Sequence, residues 1–140
     1  RLTLNGADSH RNLAGRFLSE TFGASVQHVA LATDDIFATL DRLVERGFES
    51  LPMPQNYYDD LAARFDIAPD LLERMQSLNL LYDQDDRGAF FQTYSRAFAG
   101  GLFFEILQRD AGYTGFGAPN APFRIAAQKR LRRAKGVPGR

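Results

Sequence analysis

Residues 25–35, Ser-Val-Gln-His-Val-Ala-Leu-Ala-Thr-Asp-Asp, constrain the fold more than any other stretch of this chain. Residues 25–33 have the β-branched and apolar character of a strand, with Gln27 and His28 inside it. Two carboxylates, Asp34 and Asp35, follow directly. Beyond them Ile36, Leu40, Leu43 and Val44, with Phe37 beside them, recur at helical spacing as far as Arg46, and Gly47 stops the pattern. An Asp ahead of such a run accepts hydrogen bonds from the free N–H groups of the first turn, and a Gly after it tolerates the left-handed turn that ends it. The stretch therefore reads as strand, sharp turn and amphipathic helix, with one imidazole carried on the strand. A strand is stiff, which suits a side chain that must point at something.

The rest of the chain supplies partners for that unit. Residues 1–5 alternate polar and apolar up to Gly6, a short strand, and Ser9 can cap a helix carrying Leu13, Phe17 and Leu18 that stops at Gly23. Residues 48–51 are expected to form a brief second strand, ended by Pro52 and Pro54. Residues 57–65 and 69–78 read as two short helices, with Leu61, Phe65, Leu71, Leu72, Met75 and Leu78 facing inward. Three strands then follow closely: 80–83, a hairpin turn at Asp85-Asp86-Arg87-Gly88, 89–96, a turn at Gly100-Gly101, and 102–109. Short loops make such strands antiparallel neighbours. Residues 112–122 form a loop rich in Gly, Pro and Asn, and Pro122 opens a closing helix that runs to about Lys135. The whole is an α+β module, β-α-β, two inserted helices, β-β-β, then a C-terminal helix. Residues 1–24 read as a lead-in from a preceding module, 25–111 as the module itself, and 112–140 as ordered loop and basic helix.

Composition excludes several function classes. Lys plus Arg and Asp plus Glu are 17 each, and the basic residues of the last helix lack interleaved aromatics, so nothing points to nucleic acid. With no Cys there is no disulfide, thiolate metal site or Cys nucleophile, which is compatible with a cytoplasmic location. No apolar run approaches 20 residues, so no membrane span is expected. The first residue is Arg1 rather than Met, and the chain is expected to be a piece of something longer or a processed product.

Two mid-strand polar groups stand out, His28 on the first strand and Glu105 between Phe103 and Leu107 on the last. A carboxylate removed from water and left unpaired costs several kcal/mol or takes up a proton. An imidazole and a carboxylate are two-thirds of the two-His, one-carboxylate set that holds ferrous iron with coordination sites left open. Spacing alone leaves a second reading open, in which His28 is a satisfied core histidine and Glu105 pairs with Arg109 or a neighbouring strand.

Residues 26–36, Val-Gln-His-Val-Ala-Leu-Ala-Thr-Asp-Asp-Ile, resemble the segment that opens the last module of 4-hydroxyphenylpyruvate dioxygenases. Asn56-Tyr57-Tyr58, Leu80-Leu81-Tyr82-Asp83, Phe90-Phe91-Gln92-Thr93-Tyr94, residues 103–109 and Gly115-Phe116-Gly117 follow in the family's order, from Ser25 to about Gln128. That family belongs to the vicinal-oxygen-chelate superfamily, whose βαβββ modules pair to enclose a metal. The resemblance implies that His28 and Glu105 are ligands of Fe(II) or another divalent ion, with no catalytic group beyond them. It places Gln27, Gln92 and Asn5 against a small aromatic or 2-oxo-acid substrate, with Phe103, Phe116 and Tyr94 as aromatic walls, Tyr94 standing where the family usually has Phe. Asn120 falls in its substrate-binding segment, where Ala121 replaces a substrate-gripping Phe. The family's other histidine ligand belongs to the preceding module, so the partner is either an upstream module of the same polypeptide or a second copy. Residues 56–65 and 118–122 look most like a bacterial subgroup that fuses a 3-dehydroshikimate dehydratase barrel to a dioxygenase-like half. The implied function is 2-oxo-acid-dependent oxygenase chemistry, and the alternative is a catalytically silent, accessory half of such a dehydratase.

Overall fold

The computed structural model describes residues 2–4, 6, 9, 13–98 and 101–134. In chain order its elements are α1 (Leu13–Glu20), β1 (His28–Ala32), α2 (Ile36–Glu45), α3 (Gln55–Arg64), α4 (Pro69–Ser77), β2 (Leu81–Gln84), β3 (Ala89–Tyr94), β4 (Phe103–Arg109), a 3-10 turn (Ala118–Asn120) and α5 (Ala121–Ala134). The class is α+β. The sheet order is β1-β4-β3-β2, parallel between β1 and β4 and antiparallel elsewhere. That order follows from connection lengths. Short connections send β3 back along β2 and β4 back along β3, so β4 runs parallel to β2 and meets β1, which needs the long helical crossover to reach the same direction.

Local chemistry starts and stops the elements. Asp35 caps α2 by accepting the Ala38 N–H at 2.9 Å, and the chain leaves the helix through Gly47 at φ +88°. In the β2–β3 hairpin Asp85 Oδ1 accepts the N–H groups of Arg87 and Gly88 at 2.9 and 3.0 Å. Gly88 is required there by space, because a Cβ would lie 2.1 Å from the Asp110 carbonyl oxygen.

Two expected strands are corrected. Residues 48–51 contribute only an isolated antiparallel bridge, Ser50 to Ser95, with the Leu51 N–H on the Tyr94 carbonyl at 2.7 Å. Pro52 and Pro54 have no N–H to continue a ladder, so pairing ends at once. Residues 2–4 carry no sheet pairing, while Arg1 and Asn5, the ends of the expected first strand, lie outside the described residues.

The sheet's two faces differ. Toward α2 lie Phe91 and Ile106, packed with Ile36, Leu40 and the edge of Phe37 in one apolar core. The other face carries Phe90, Gln92 and Tyr94 of β3 with Phe103, Glu105 and Leu107 of β4, and α5 lies against part of it. The sheet's edges differ as well. The outward N–H of Tyr82 in β2 is taken up by the buried Tyr57 hydroxyl at 2.8 Å, so α3 covers that edge. At the β1 edge Val29 and Leu31 are 39% and 50% exposed. Among the described residues no helix is long and apolar enough to cross a membrane.

Candidate metal centre

His28 opens β1 opposite Phe103, and Ala30 stands opposite Glu105. Residues two apart on a strand share a face, so the imidazole and the carboxylate project from the same side of adjacent strands. Their atoms Nε2 and Oε2 are 3.7 Å apart, beyond a hydrogen bond. The imidazole is held flat on the Phe103 ring, with centroids 5.1 Å apart and planes 8° from parallel.

Electrostatics at this point argues against a self-sufficient ion pair. Burial, then the positive charge of Arg124, pushes the His28 pKa below its ordinary 6.5, so the ring is neutral at pH 7 with a lone pair to give. Glu105 is 7% exposed, and burial raises its pKa from 4.5 to about 7 against the opposing pull of Arg124 and Arg109. A neutral ring beside a half-protonated acid is not a salt bridge, although the separation falls within the usual ion-pair cut-off. The donor set fits a divalent ion of intermediate hardness. Bonds of about 2.1 Å to one ion hold two ligand atoms about 3.0–3.4 Å apart, so a few tenths of an ångström of side-chain movement would bring these two into range. Among the described residues no group of three His, Cys, Asp or Glu side chains forms a fuller site. The buried His28 Nδ1 has no hydrogen-bond partner, whereas a ligating imidazole ordinarily donates from its second nitrogen.

The remaining expected site residues divide into two groups. Phe103, Tyr94 and Gln92 gather around the pair. Tyr94 stands opposite Glu105 in the β3–β4 register, its ring edge-on to Phe103 at 5.8 Å, and its hydroxyl donates to Gln92 Oε1 at 3.0 Å. Gln92 is fully buried and its Nε2 has no partner. The second group lies apart from this cluster or outside it. Phe116 is 58% exposed and sits under the Arg109 guanidinium, 5.7 Å from its ring centroid. Asn120 is buried and accepts the Tyr57 hydroxyl at 2.9 Å, leaving its Nδ2 without a partner. Gln27 is half-buried just ahead of β1, its carbonyl taking the Phe103 N–H at 3.1 Å. Asn5 lies outside the described residues. Arg109 does not pair with Glu105: it lies over Phe90 and donates to the Gly115 carbonyl at 3.2 and 3.1 Å, holding the 112–117 loop.

Sequence reasoning missed Arg124. Phe123, Ala127 and Leu131, spaced four apart, turn one side of α5 toward the core, and Arg124 and Gln128 run beside that stripe. The Arg124 guanidinium lies 5.4 Å from the ring centroids of both Tyr94 and Phe103 and donates to Gln128 Oε1 at 3.0 Å. A lone cation next to the inward stripe was the available signal, hidden by the basic residues that follow it.

Comparison with known proteins agrees with this architecture. The chain is 43% identical over 134 residues to a 3-dehydroshikimate dehydratase of Pseudomonas aeruginosa, covering 95% of this chain and 21% of that protein. It is 34% identical over 137 residues to a 4-hydroxyphenylpyruvate dioxygenase of the same species, covering 95% and 38%. A solved xylose isomerase-like TIM barrel/4-hydroxyphenylpyruvate dioxygenase fusion protein superposes with a TM-score of 0.74 at 45% identity, over 79% of this chain and 18% of that one. The chain thus spans about a fifth of the dehydratase and under two-fifths of the dioxygenase. The profile of the Glyoxalase/Bleomycin resistance protein/Dioxygenase superfamily matches residues 1–86, and the chain belongs to that superfamily.

Proposed function

We propose that this chain contributes His28 and Glu105 to the Fe(II) site of a 2-oxo-acid-dependent dioxygenase. The observation that carries the reading is their convergence, Nε2 to Oε2 at 3.7 Å, from strands far apart in sequence onto one half-buried point. Bound Fe(II) would supply Lewis acidity toward a 2-oxo acid and the electrons that activate oxygen. The chain's own part is to present a neutral imidazole lone pair, to hold a carboxylate out of water where a cation favours its ionised form, and to line the site with Phe103, Tyr94 and Gln92. A third ligand comes from a preceding module of the same polypeptide or from a second copy. Identity to the 3-dehydroshikimate dehydratase is higher than to the dioxygenase, and Ala121 removes an expected aromatic grip. Those two observations support a second reading, an accessory half that does not oxygenate.

Anaerobic titration of Fe(II) into the full-length protein tests the first reading. Binding with 1:1 stoichiometry that His28→Ala abolishes is expected. Absence of binding, or binding indifferent to His28, overturns it. Oxygen uptake with 4-hydroxyphenylpyruvate that stays flat in iron-loaded protein favours the accessory reading.

A further inference from the structure

The two rings that line this face, Tyr94 and Phe103, share one cation. Arg124 of α5 places its guanidinium 5.4 Å from both centroids. Among the described residues no carboxylate lies within the 4.0 Å ion-pair distance of that guanidinium. Its hydrogen bond goes to the neutral Gln128, so among the described residues no anion touches it, although its charge reaches Glu105 through space. The fully buried Gln92 lies in the same cluster, joined to Tyr94 through its Oε1 while its Nε2 has no acceptor. The cluster thus holds a buried amide donor without an acceptor, packed near Gly117, and a half-buried guanidinium with no anion in contact. A neutral aromatic ring placed against Tyr94 and Phe103 would answer neither donor and would have to compete with the guanidinium for both faces.

We propose that Arg124 is the specificity-determining residue of this face, and that it selects a ligand carrying a carboxylate in addition to any 2-oxo-acid group. Arg124 would receive that carboxylate through two N–H groups. The ligand class is a dicarboxylic acid, not a neutral phenol. The proposal rests on reading the His28–Glu105 face as a ligand site, but not on a metal being bound there.

The test compares two probes on metal-free, full-length protein by isothermal titration calorimetry: 2-oxoglutarate, and 2-oxopentanoate, which lacks only the second carboxylate. Wild type should bind 2-oxoglutarate at least tenfold more tightly. Arg124→Gln should erase that preference while leaving 2-oxopentanoate unchanged, and Arg124→Lys, which keeps the charge but not the fork, should retain part of it. Thermal melts of both variants establish that they are folded. Equal affinity of wild type for the two probes, binding of neither, or a preference that survives Arg124→Gln overturns the proposal. Fe(II) binding that depends on His28 in the same preparation would then leave the metal reading standing. Probe discrimination without metal binding would separate the two in the other direction.

Discussion

Replacing Glu105 by Gln is expected to stabilise the metal-free protein at alkaline pH. Burial raises the carboxyl from 4.5 to about 7, and the guanidinium groups of Arg124 and Arg109 offset only part of that penalty. A rise of that size corresponds to about 3 kcal/mol set against the ionised form in the folded state. The sign follows from proton uptake. Between pH 4.5 and about 7 the folded protein holds a proton that the unfolded chain has released, so stability falls as pH rises through that window. Above it the penalty is complete, and below it the contribution vanishes. Gln has nearly the same shape and no charge to desolvate, but its amide donor needs an acceptor among Phe103, Tyr94 and His28, a cost of about 1 kcal/mol. The net expectation is a gain of about 2 kcal/mol at pH 8 and a small loss at pH 4.5. Urea denaturation with chelator present, at both pH values, reads the two differences. A variant less stable than wild type at pH 8, or a difference independent of pH, refutes the claim that desolvation governs this carboxyl. If Fe(II) binds at His28 and Glu105 as proposed, it should raise the melting temperature of wild type and leave Glu105→Gln unmoved.

Tyr57→Phe should cost about 2–3 kcal/mol in the same denaturation assay, because the Tyr82 N–H and Asn120 Oδ1 both lose a buried partner; a cost well under 1 kcal/mol would mean that α3 does not shield the β2 edge. Gly117→Ala should cost about 2–4 kcal/mol, since the backbone sits at φ +62° and a Cβ would stand 2.5 Å from Gln92 Nε2 and 2.7 Å from Phe90 Cε1. Retention of wild-type stability by that variant would show that Gln92 is free to move away.

The parts legible in the sequence are those set by neighbours along the chain. Asp35 and Gly47 announce the ends of α2 within a dozen residues, and alternation alone puts Gln92 and Tyr94 on one face, where their side chains do bond. Illegible parts depend on what the fold brings from afar. Nothing in residues 48–51 says that the two prolines leave a single bridge at Ser50. The Tyr57 hydroxyl accepts the N–H of a strand residue 25 positions further on, a pairing that no local pattern records. Arg109 stands four residues from Glu105 on the same strand face, the natural partner by charge, yet a loop carbonyl at Gly115 takes its hydrogen bonds because the 112–117 loop folds back over that end. Arg124 is separated from the exposed Lys129 and Arg130 of α5 by its place beside the inward stripe, and only the placement of the helix on the sheet gives that stripe its meaning.

The distribution of unsatisfied groups distinguishes the two faces of the sheet. A core shaped for stability alone pairs its polar atoms or dispenses with them. On the α2 side this rule holds for the sheet: beside Ile36, Leu40, Phe91 and Ile106 the buried Thr93 hydroxyl donates to the Asn79 carbonyl at 3.1 Å, and Gln108 at the margin accepts the Ile36 N–H at 2.7 Å. Toward α5 it fails repeatedly. Among the described residues His28 Nδ1, Gln92 Nε2 and Asn120 Nδ2 lack partners, Glu105 is held out of water without a cation in contact, and no carboxylate touches Arg124. Each departure carries a stability cost, and around the His28–Glu105 pair they supply two ligand atoms, the Gln92 amide and a guanidinium, with Asn120 lying apart. Acceptors and donors both go unanswered there, so a single added charge of either sign would not satisfy the set. A metal ion at His28 and Glu105 with an acidic substrate at Arg124, the arrangement proposed above, would answer the charged positions of that set.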